Sequence, residues 1–225
     1  MITVVGGTKG GSGKSTVATN LAVMLSTAGR DVLLVDADDQ ETATDFTNLR
    51  NETRPGGAGY TCVALTGRAV MTEVKRLAPK YDEIVIDTGG RDTASQRAAL
   101  AICDTYLVPF APRSFDVWTL DKVAGLIEEA RAVNPDFRAC AFLNRADARG
   151  SDNEEAAEML KTKPALEFIL AALGSRKAYA NAAAAGIAVT ELRPQDPKAT
   201  DEVGILFGSL FDIQKVSPLR RAVGA

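Results

Sequence analysis

Ile2-Thr3-Val4-Val5 is followed by Lys9-Gly10-Gly11-Ser12-Gly13-Lys14-Ser15-Thr16 and then by Val17-Ala18-Thr19-Asn20-Leu21-Ala22-Val23-Met24-Leu25. A β-branched run, a glycine-rich run and a segment with apolar residues at helical spacing predict strand, loop and helix in that order. Glycine lets successive backbone N–H groups turn inward, and the N-terminus of the following helix adds partial positive charge, so such a loop cradles phosphate. Lys14 then reaches the β- and γ-phosphates, and the Ser15 hydroxyl is placed for Mg²⁺. The pattern G-x-x-x-x-G-K-[ST] is met except at its first position, which is Thr8, and a second lysine, Lys9, follows at once. The competing reading is a flexible turn with solvated lysines. With glycine near 7% of average composition, a chance match of this length is on the order of one in ten thousand.

The loop resembles that of the ParA/MinD family of deviant Walker-type P-loop ATPases, whose mark is a lysine where Lys9 stands. The resemblance implies ATP and Mg²⁺ as cofactors, with residues 9–16 and the strand-end residues Asn144 and Arg145 around the nucleotide. It also implies that Lys9 crosses a dimer interface to the partner's phosphates, so that activity needs two chains. Lys9, Lys14 and Asp38 are then the expected catalytic set.

Asp38 belongs to the second motif. Asp31-Val32-Leu33-Leu34-Val35-Asp36 reads as a near-continuous apolar strand ending in acid, and the chain continues Ala37-Asp38-Asp39-Gln40. Strand C-termini of doubly wound sheets meet the ligand crevice, where carboxylates act on metal or water. The stretch is similar to the family's Asp-x-Asp-Pro-Gln, with Asp39 in place of proline. By that resemblance Asp36 supports the water shell of the metal and Asp38 orients the attacking water. The plainer reading, acids capping a helix over 42–52, applies above all to Asp39 and Glu41.

The third motif is Tyr81-Asp82-Glu83-Ile84-Val85-Ile86-Asp87-Thr88-Gly89-Gly90. An apolar strand closing on aspartate, downstream of a phosphate loop, is the Walker B arrangement, with Asp87 on Mg²⁺ through water. Ser15, Asp36 and Asp87 are thus the expected metal-side residues. The family usually has prolines at 89 and 90; two glycines there imply a looser switch.

Alternation continues downstream. Strands are predicted at 60–65, 106–110 and 138–143, and helices at 68–77, 93–103, 114–132, 151–161 and 200–214, with Ser114 or Asp116 as one N-cap. The strand at 138–143 delivers Asn144 and Arg145 to the crevice. In the family an asparagine there reads the adenine edge, whereas a strand-end asparagine is otherwise a turn residue. Residues 165–173 fit strand or helix by period, and the family's layout favours a last strand. Ser175 is expected to cap an alanine-rich helix over 176–185 closed by Gly186. Arg176 and Lys177 there, with Arg220 and Arg221 in a short tail over 216–225, resemble the DNA face of small ParA proteins; the alternative is a solvated basic surface.

The chain has 225 residues, 46% of them hydrophobic, and a formal charge of −3, which fits one α/β domain and disfavours wholesale nucleic-acid binding. It contains no histidine, which excludes a Ser-His-Asp triad and His-ligated metals. Cys62, Cys103 and Cys140 are odd in number and far apart, which argues for structural thiols over a disulfide framework or zinc site. No long apolar window and no basic leader are present, so a cytoplasmic protein is expected, nucleoid-associated in its ATP state by the family resemblance.

A doubly wound, mostly parallel sheet with helices on both faces follows. The expected function is an ATP-dependent dimerising switch that binds DNA non-specifically, hydrolyses ATP when a small adaptor protein meets it, and positions DNA or other cargo. Two alternatives are a MinD-like membrane switch, disfavoured by the short Pro218-containing tail, and an ATP-dependent small-molecule synthetase on the same fold.

Overall fold

The computed structural model describes residues 1–112, 117–149 and 151–211. Their strands form one seven-stranded sheet: β1 (Ile2–Val5), β2 (Val32–Ala37), β3 (Thr61–Ala64), β4 (Glu83–Thr88), β5 (Thr105–Phe110), β6 (Arg138–Ala146) and β7 (Glu167–Gly174). The order is β3-β2-β4-β1-β5-β6-β7, with every pairing parallel. Parallel neighbours need crossover helices, and these cover both faces: α1 (Lys14–Thr27), α2 (Thr42–Thr53), α3 (Ala69–Leu77), α4 (Ala94–Leu100), α5 (Val117–Arg131), α6 (Asp152–Lys161), α7 (Lys177–Ala184) and α8 (Pro197–Leu210).

Strand side chains alternate between two buried layers. Val4, Leu33, Val35, Ile84, Ile86, Tyr106 and Val108 face one core with Val74, Leu100, Leu120 and Ile127 of α3, α4 and α5. Val5, Val32, Leu34, Val85, Leu107 and Phe142 face the other with Leu21 and Leu25 of α1 and Val203, Leu206 and Phe207 of α8. Cys103 and Cys140 fall in opposite layers, as buried free thiols that burial pushes up to about 12, and Cys62 is half-buried and free. The ambiguous segment at 165–173 is a sheet strand, with alternate residues buried against α8.

Several expected boundaries move, each for a local reason. Helix α4 stops at Leu100, where the Asn134 amide donates to the carbonyls of Leu100 and Cys103 and takes up the helix end. Strand β6 continues through Asn144 and Arg145 to Ala146 because β7 pairs with it there, across register irregularities. Ser175 does not cap α7; Arg176 holds the N-cap position and no side chain caps it. Helix α8 begins at Pro197, with Asp196 accepting the Ala199 N–H, a proline-at-N1 start that the sequence carries in plain view. Ser114, Asp116 and the tail with Arg220 and Arg221 lie outside the described residues.

Candidate functional site

Strands β1, β4 and β2 lie side by side, and successive strands are added on opposite sides of β1, β2 to β4 on one side and β5 to β7 on the other, which opens a crevice at the C-terminal ends. Register pairs Asp87 of β4 with Asp36 of β2 on one side and with Val5 of β1 on the other. The acids of two motifs therefore stand beside the mouth of the third.

The phosphate loop is shaped by glycines where glycine is needed. Gly11 and Gly13 have φ of 74° and 87°, and a Cβ on Gly13 would lie 2.3 Å from the Asn144 Nδ2. Gly13 is the N-cap of α1 and offers no side chain, so the first-turn N–H groups of that helix face the cleft. Lys14 is buried, and its Nζ donates to the Lys9 carbonyl at 2.9 Å, folding the side chain back over its own loop. Burial holds the Lys14 pKa below its usual value, while Asp87 and Asp38 pull it back up.

Asp36 and Asp87 differ sharply in their company. Asp36 accepts the Asp38 N–H at 3.2 Å on one oxygen and the Thr44 N–H and hydroxyl at 2.8 and 2.9 Å on the other. It therefore caps α2 from the neighbouring strand. The capping expected of Asp39 and Glu41 falls to Asp36, because Glu41 sits at the N-cap with φ of 50° and makes no side-chain cap bond. Asp87 is fully buried, and neither carboxylate oxygen meets a donor in hydrogen-bond geometry. Burial, with the charges of Asp36 and Asp38, pushes its carboxyl up to about 7 against the pull of the nearby Ser15 hydroxyl and Lys14.

Two buried carboxylate oxygens without donors, next to a serine hydroxyl, fit a hard cation with oxygen ligands. Among the described residues no three acidic, cysteine or histidine groups gather into a protein-only cage. That combination suits Mg²⁺, which is held by one or two carboxylates together with phosphates and water. Asp38 is placed at the Gly89 edge of the cleft: a Cβ on Gly89 would lie 3.2 Å from its Oδ1.

Gly11, Gly13, Lys14, Ser15, Asp38 and Gly89 line a cleft of about 740 Å³ that also takes in Gly90, Arg91, Thr93 and Arg145, while Asp36 and Asp87 are buried outside its lining. Arg145 is brought there by a strand irregularity between Asn144 and Ala146 and by a left-handed φ of 56°, which turns it outward from β6. Asn144 points the other way. Its Nδ2 donates to the Ser12 carbonyl at 2.6 Å and its Oδ1 accepts the Arg145 N–H, so it braces the phosphate loop and keeps one N–H and one lone pair beyond these bonds. Arg91, Thr93, Gln40 and Thr42 were missed in the sequence. The signal for Arg91 was its place directly after the two glycines.

Of the basic residues expected on a DNA face, Arg176 and Lys177 are not among those that line this cleft, and Arg220 and Arg221 lie outside the described residues. Arg176 forms a forked ion pair with Glu202 of α8, which also accepts the Gly174 N–H, so its guanidinium is tied to a neighbouring helix. Lys177 is exposed at the start of α7. No helix among the described residues is long and apolar enough to cross a membrane.

Comparison with known proteins places this geometry. Residues 3–189 match the CobQ/CobB/MinD/ParA nucleotide binding domain. The maintenance of carboxysome distribution protein A of Halothiobacillus neapolitanus is 28% identical over 204 residues, 90% of this chain and 93% of that protein. Its counterpart from Gloeobacter kilaueensis is 30% identical over 199 residues, 86% of this chain and 85% of that protein. Among solved structures, a complex of Cyanothece McdA with ATP, in an aspartate-to-alanine variant, superposes with a TM-score of 0.77 at 17% identity, covering 94% of this chain and 97% of that one. The phosphate loop, its two acidic strand ends and the sequence that carries them make this chain a member of the CobQ/CobB/MinD/ParA nucleotide-binding family, on its ParA/MinD side.

Proposed function

We propose that this protein is a Mg²⁺-dependent ATPase that works as a dimerising switch of the ParA type and positions an intracellular cargo. The observation that carries the reading is Lys14, buried at the head of α1 where it lines the cleft, with the buried carboxylate of Asp87, whose oxygens meet no donor, near enough for its charge to act on the ammonium. A lysine and a carboxylate held in that way suit a triphosphate with a divalent cation, and the solved McdA–ATP complex supports ATP as the nucleotide.

The chain's own residues divide the work. The N–H groups of the loop over 10–16 and the Lys14 ammonium bind the phosphates, the ammonium having two donors beyond the one given to the Lys9 carbonyl. Ser15 and Asp87, with Asp36 on the neighbouring strand, would hold Mg²⁺, which would supply neutralisation of the charge that develops on the phosphates. Asp38, at the mouth beside Gly89, holds the attacking water and receives its proton. Lys9 serves the nucleotide of a second copy, and Arg145 closes the base side of the cleft.

Cargo positioning rests on the relatives, whose names tie them to carboxysome distribution and chromosome partitioning. Non-specific DNA is the proposed matrix and a small adaptor the proposed activator. With Arg176 committed to Glu202, Lys177, Arg220 and Arg221 are left as the phosphate-contacting set. The deciding experiment is light scattering of the Asp38→Ala variant with Mg²⁺–ATP or Mg²⁺–ADP. A dimer with ATP and a monomer with ADP are expected, and a monomer with both overturns the switch. DNA binding by the ATP dimer should weaken steeply as salt rises; binding that ignores salt removes DNA as the matrix.

A further inference from the structure

Below the phosphate loop lies a buried polar joint that the nucleotide chemistry does not use. Gln96 of α4 has no solvent exposure. Its Oε1 accepts the Thr88 hydroxyl at 3.1 Å and lies 3.4 Å from the Gly7 N–H. Its Nε2 is buried without a partner. Thr88 has one hydroxyl proton and two acceptors in reach, Gln96 Oε1 and the Val5 carbonyl at 3.2 Å. Gly6 makes the joint possible, because a Cβ there would lie 2.7 Å from the Thr88 Oγ1 and 3.3 Å from the Gln96 Oε1.

Three pieces of chain meet at this one amide. Val5 to Gly7 is the exit of β1 into the phosphate loop. Thr88 is the last residue of β4 before Gly89 and Gly90, and Gly90 packs so closely on the loop that a Cβ would lie 2.7 Å from the Gly10 N and Cα. Gln96 itself sits in the first turn of α4, where its own N–H is held by the Thr93 cap. The segment over 89–95 is therefore a closed loop. Its two ends are bonded to each other through Thr88 and Gln96, and its tip rests on the phosphate loop beside Asp38.

We propose that Gln96 is a positioning residue for ATP hydrolysis: its amide fixes the base of the 89–95 loop to the base of the phosphate loop, so that contact of the loop tip with the γ-phosphate is passed to α4. Gln96 is fully buried and is not among the residues that line the cleft, and a hydroxyl shared between two acceptors gives the joint two hydrogen-bond arrangements of similar geometry. Cleavage of the terminal phosphate exchanges one for the other, and α4 follows through the Gln96 backbone. The proposal rests on the ATPase reading above.

Gln96→Met keeps the length and burial of the side chain and removes its hydrogen bonds. Expected in the purified full chain are parent-like thermal melting, ADP affinity within about twofold of the parent, and a fall of about tenfold or more in kcat with little change in KM. Gln96→Glu, which restores the acceptor oxygens, should recover part of the rate. Hydrogen exchange should register the difference between ATPγS and ADP across 89–100 in the parent, but only across 89–91 in Gln96→Met. A parent-like kcat in Gln96→Met overturns the proposal. So does loss of melting temperature and ADP affinity together, which marks a merely structural role. If Gln96→Met does not fold, Thr88→Val removes the same bond from the other side and must lower kcat alike; a parent-like rate there is equally fatal. A parent protein with no ATP hydrolysis at all would refute the ATPase reading instead.

Discussion

Asp36 and Asp87 stand opposite one another in the register of β2 and β4, yet Asp36 accepts three hydrogen bonds and Asp87 accepts none. One carboxylate is a fixed structural cap and the other is held ready, and this contrast governs how the nucleotide-free protein responds to pH. The Asp87 carboxyl is raised from 3.8 to about 7. A folded-state pKa above the unfolded one means that folding takes up a proton between those values. The stability this group contributes is complete below about pH 4 and is lost as pH rises through about 7. Asp87→Asn removes that dependence. Calorimetry without nucleotide should find the variant melting several degrees above the parent at pH 8 and close to it at pH 4, at roughly 2–4 °C per kcal/mol. An equal difference at both pH values would refute the assignment. Mg²⁺-dependent ATP binding should be lost in the same variant.

Lys14 is the cation buried at the phosphate loop, and without nucleotide its ammonium is parked on the Lys9 carbonyl. Lys14→Ala should lower ATP and ADP affinity at least about a hundredfold, the scale of losing a charge-assisted contact to a desolvated phosphate. Titration with a fluorescent nucleotide checks this, and affinity within tenfold of the parent would show that the loop N–H groups suffice.

Gly89 and Gly90 predict different outcomes for the same substitution. A Cβ on Gly90 meets backbone, the Gly10 N and Cα at 2.7 Å, whereas one on Gly89 meets the end of the Asp38 side chain at 3.2 Å, which can rotate. Gly90→Ala must push the two loops apart and should cut hydrolysis by roughly 10–100-fold, the usual penalty for misplacing reacting groups by about an ångström. Gly89→Ala should cost less than about fivefold on the same scale. Steady-state phosphate release compares the two, and equal losses would discount the backbone contact.

Arg50 of α2 is buried and donates to the carbonyls of Ala58 and Gly186 and to both oxygens of Glu191, which also accepts the Ala188 N–H. Arg54 also reaches Glu191 Oε1, at 2.7 Å, so losing Arg50 removes the buried partner and leaves the more exposed one. Arg50→Ala should therefore destabilise the fold by about 3 kcal/mol, the low end for a broken buried pair. Glu191→Gln, which keeps an acceptor, should cost about 1–2 kcal/mol on hydrogen-bond grounds. Urea unfolding midpoints test the order, and a reversed order would contradict the network.

The fold was readable from the sequence because its signals are local and repeated. Each apolar run that ends in acid became a strand end at the crevice, and the glycines of the phosphate loop carry the positive φ that the motif requires. The cleft was less readable, since its remaining members depend on what lies opposite. That Asp36 caps α2 was decided by a strand end meeting Thr44 across space, and Asp39 and Glu41 looked equally suited from spacing alone. Asn144 and Arg145 were found together, but their opposite directions come from a bulge that no pattern announces. Arg176 looked like a free surface cation until α8 placed Glu202 against it, and Gln96 carried no sequence mark at all.

The Arg50–Glu191 tie also bears on where this chain can be cut. The match to the family ends at residue 189, two positions before the carboxylate that pairs with a guanidinium planted in α2. A fragment trimmed to that boundary would enclose an unpaired charge under the helix whose first turn Asp36 secures, and would shed α8 from the face of β7. Expression designs, split reporters and domain fusions should therefore cut beyond residue 211, since the last third of the polypeptide is built into the nucleotide-binding half.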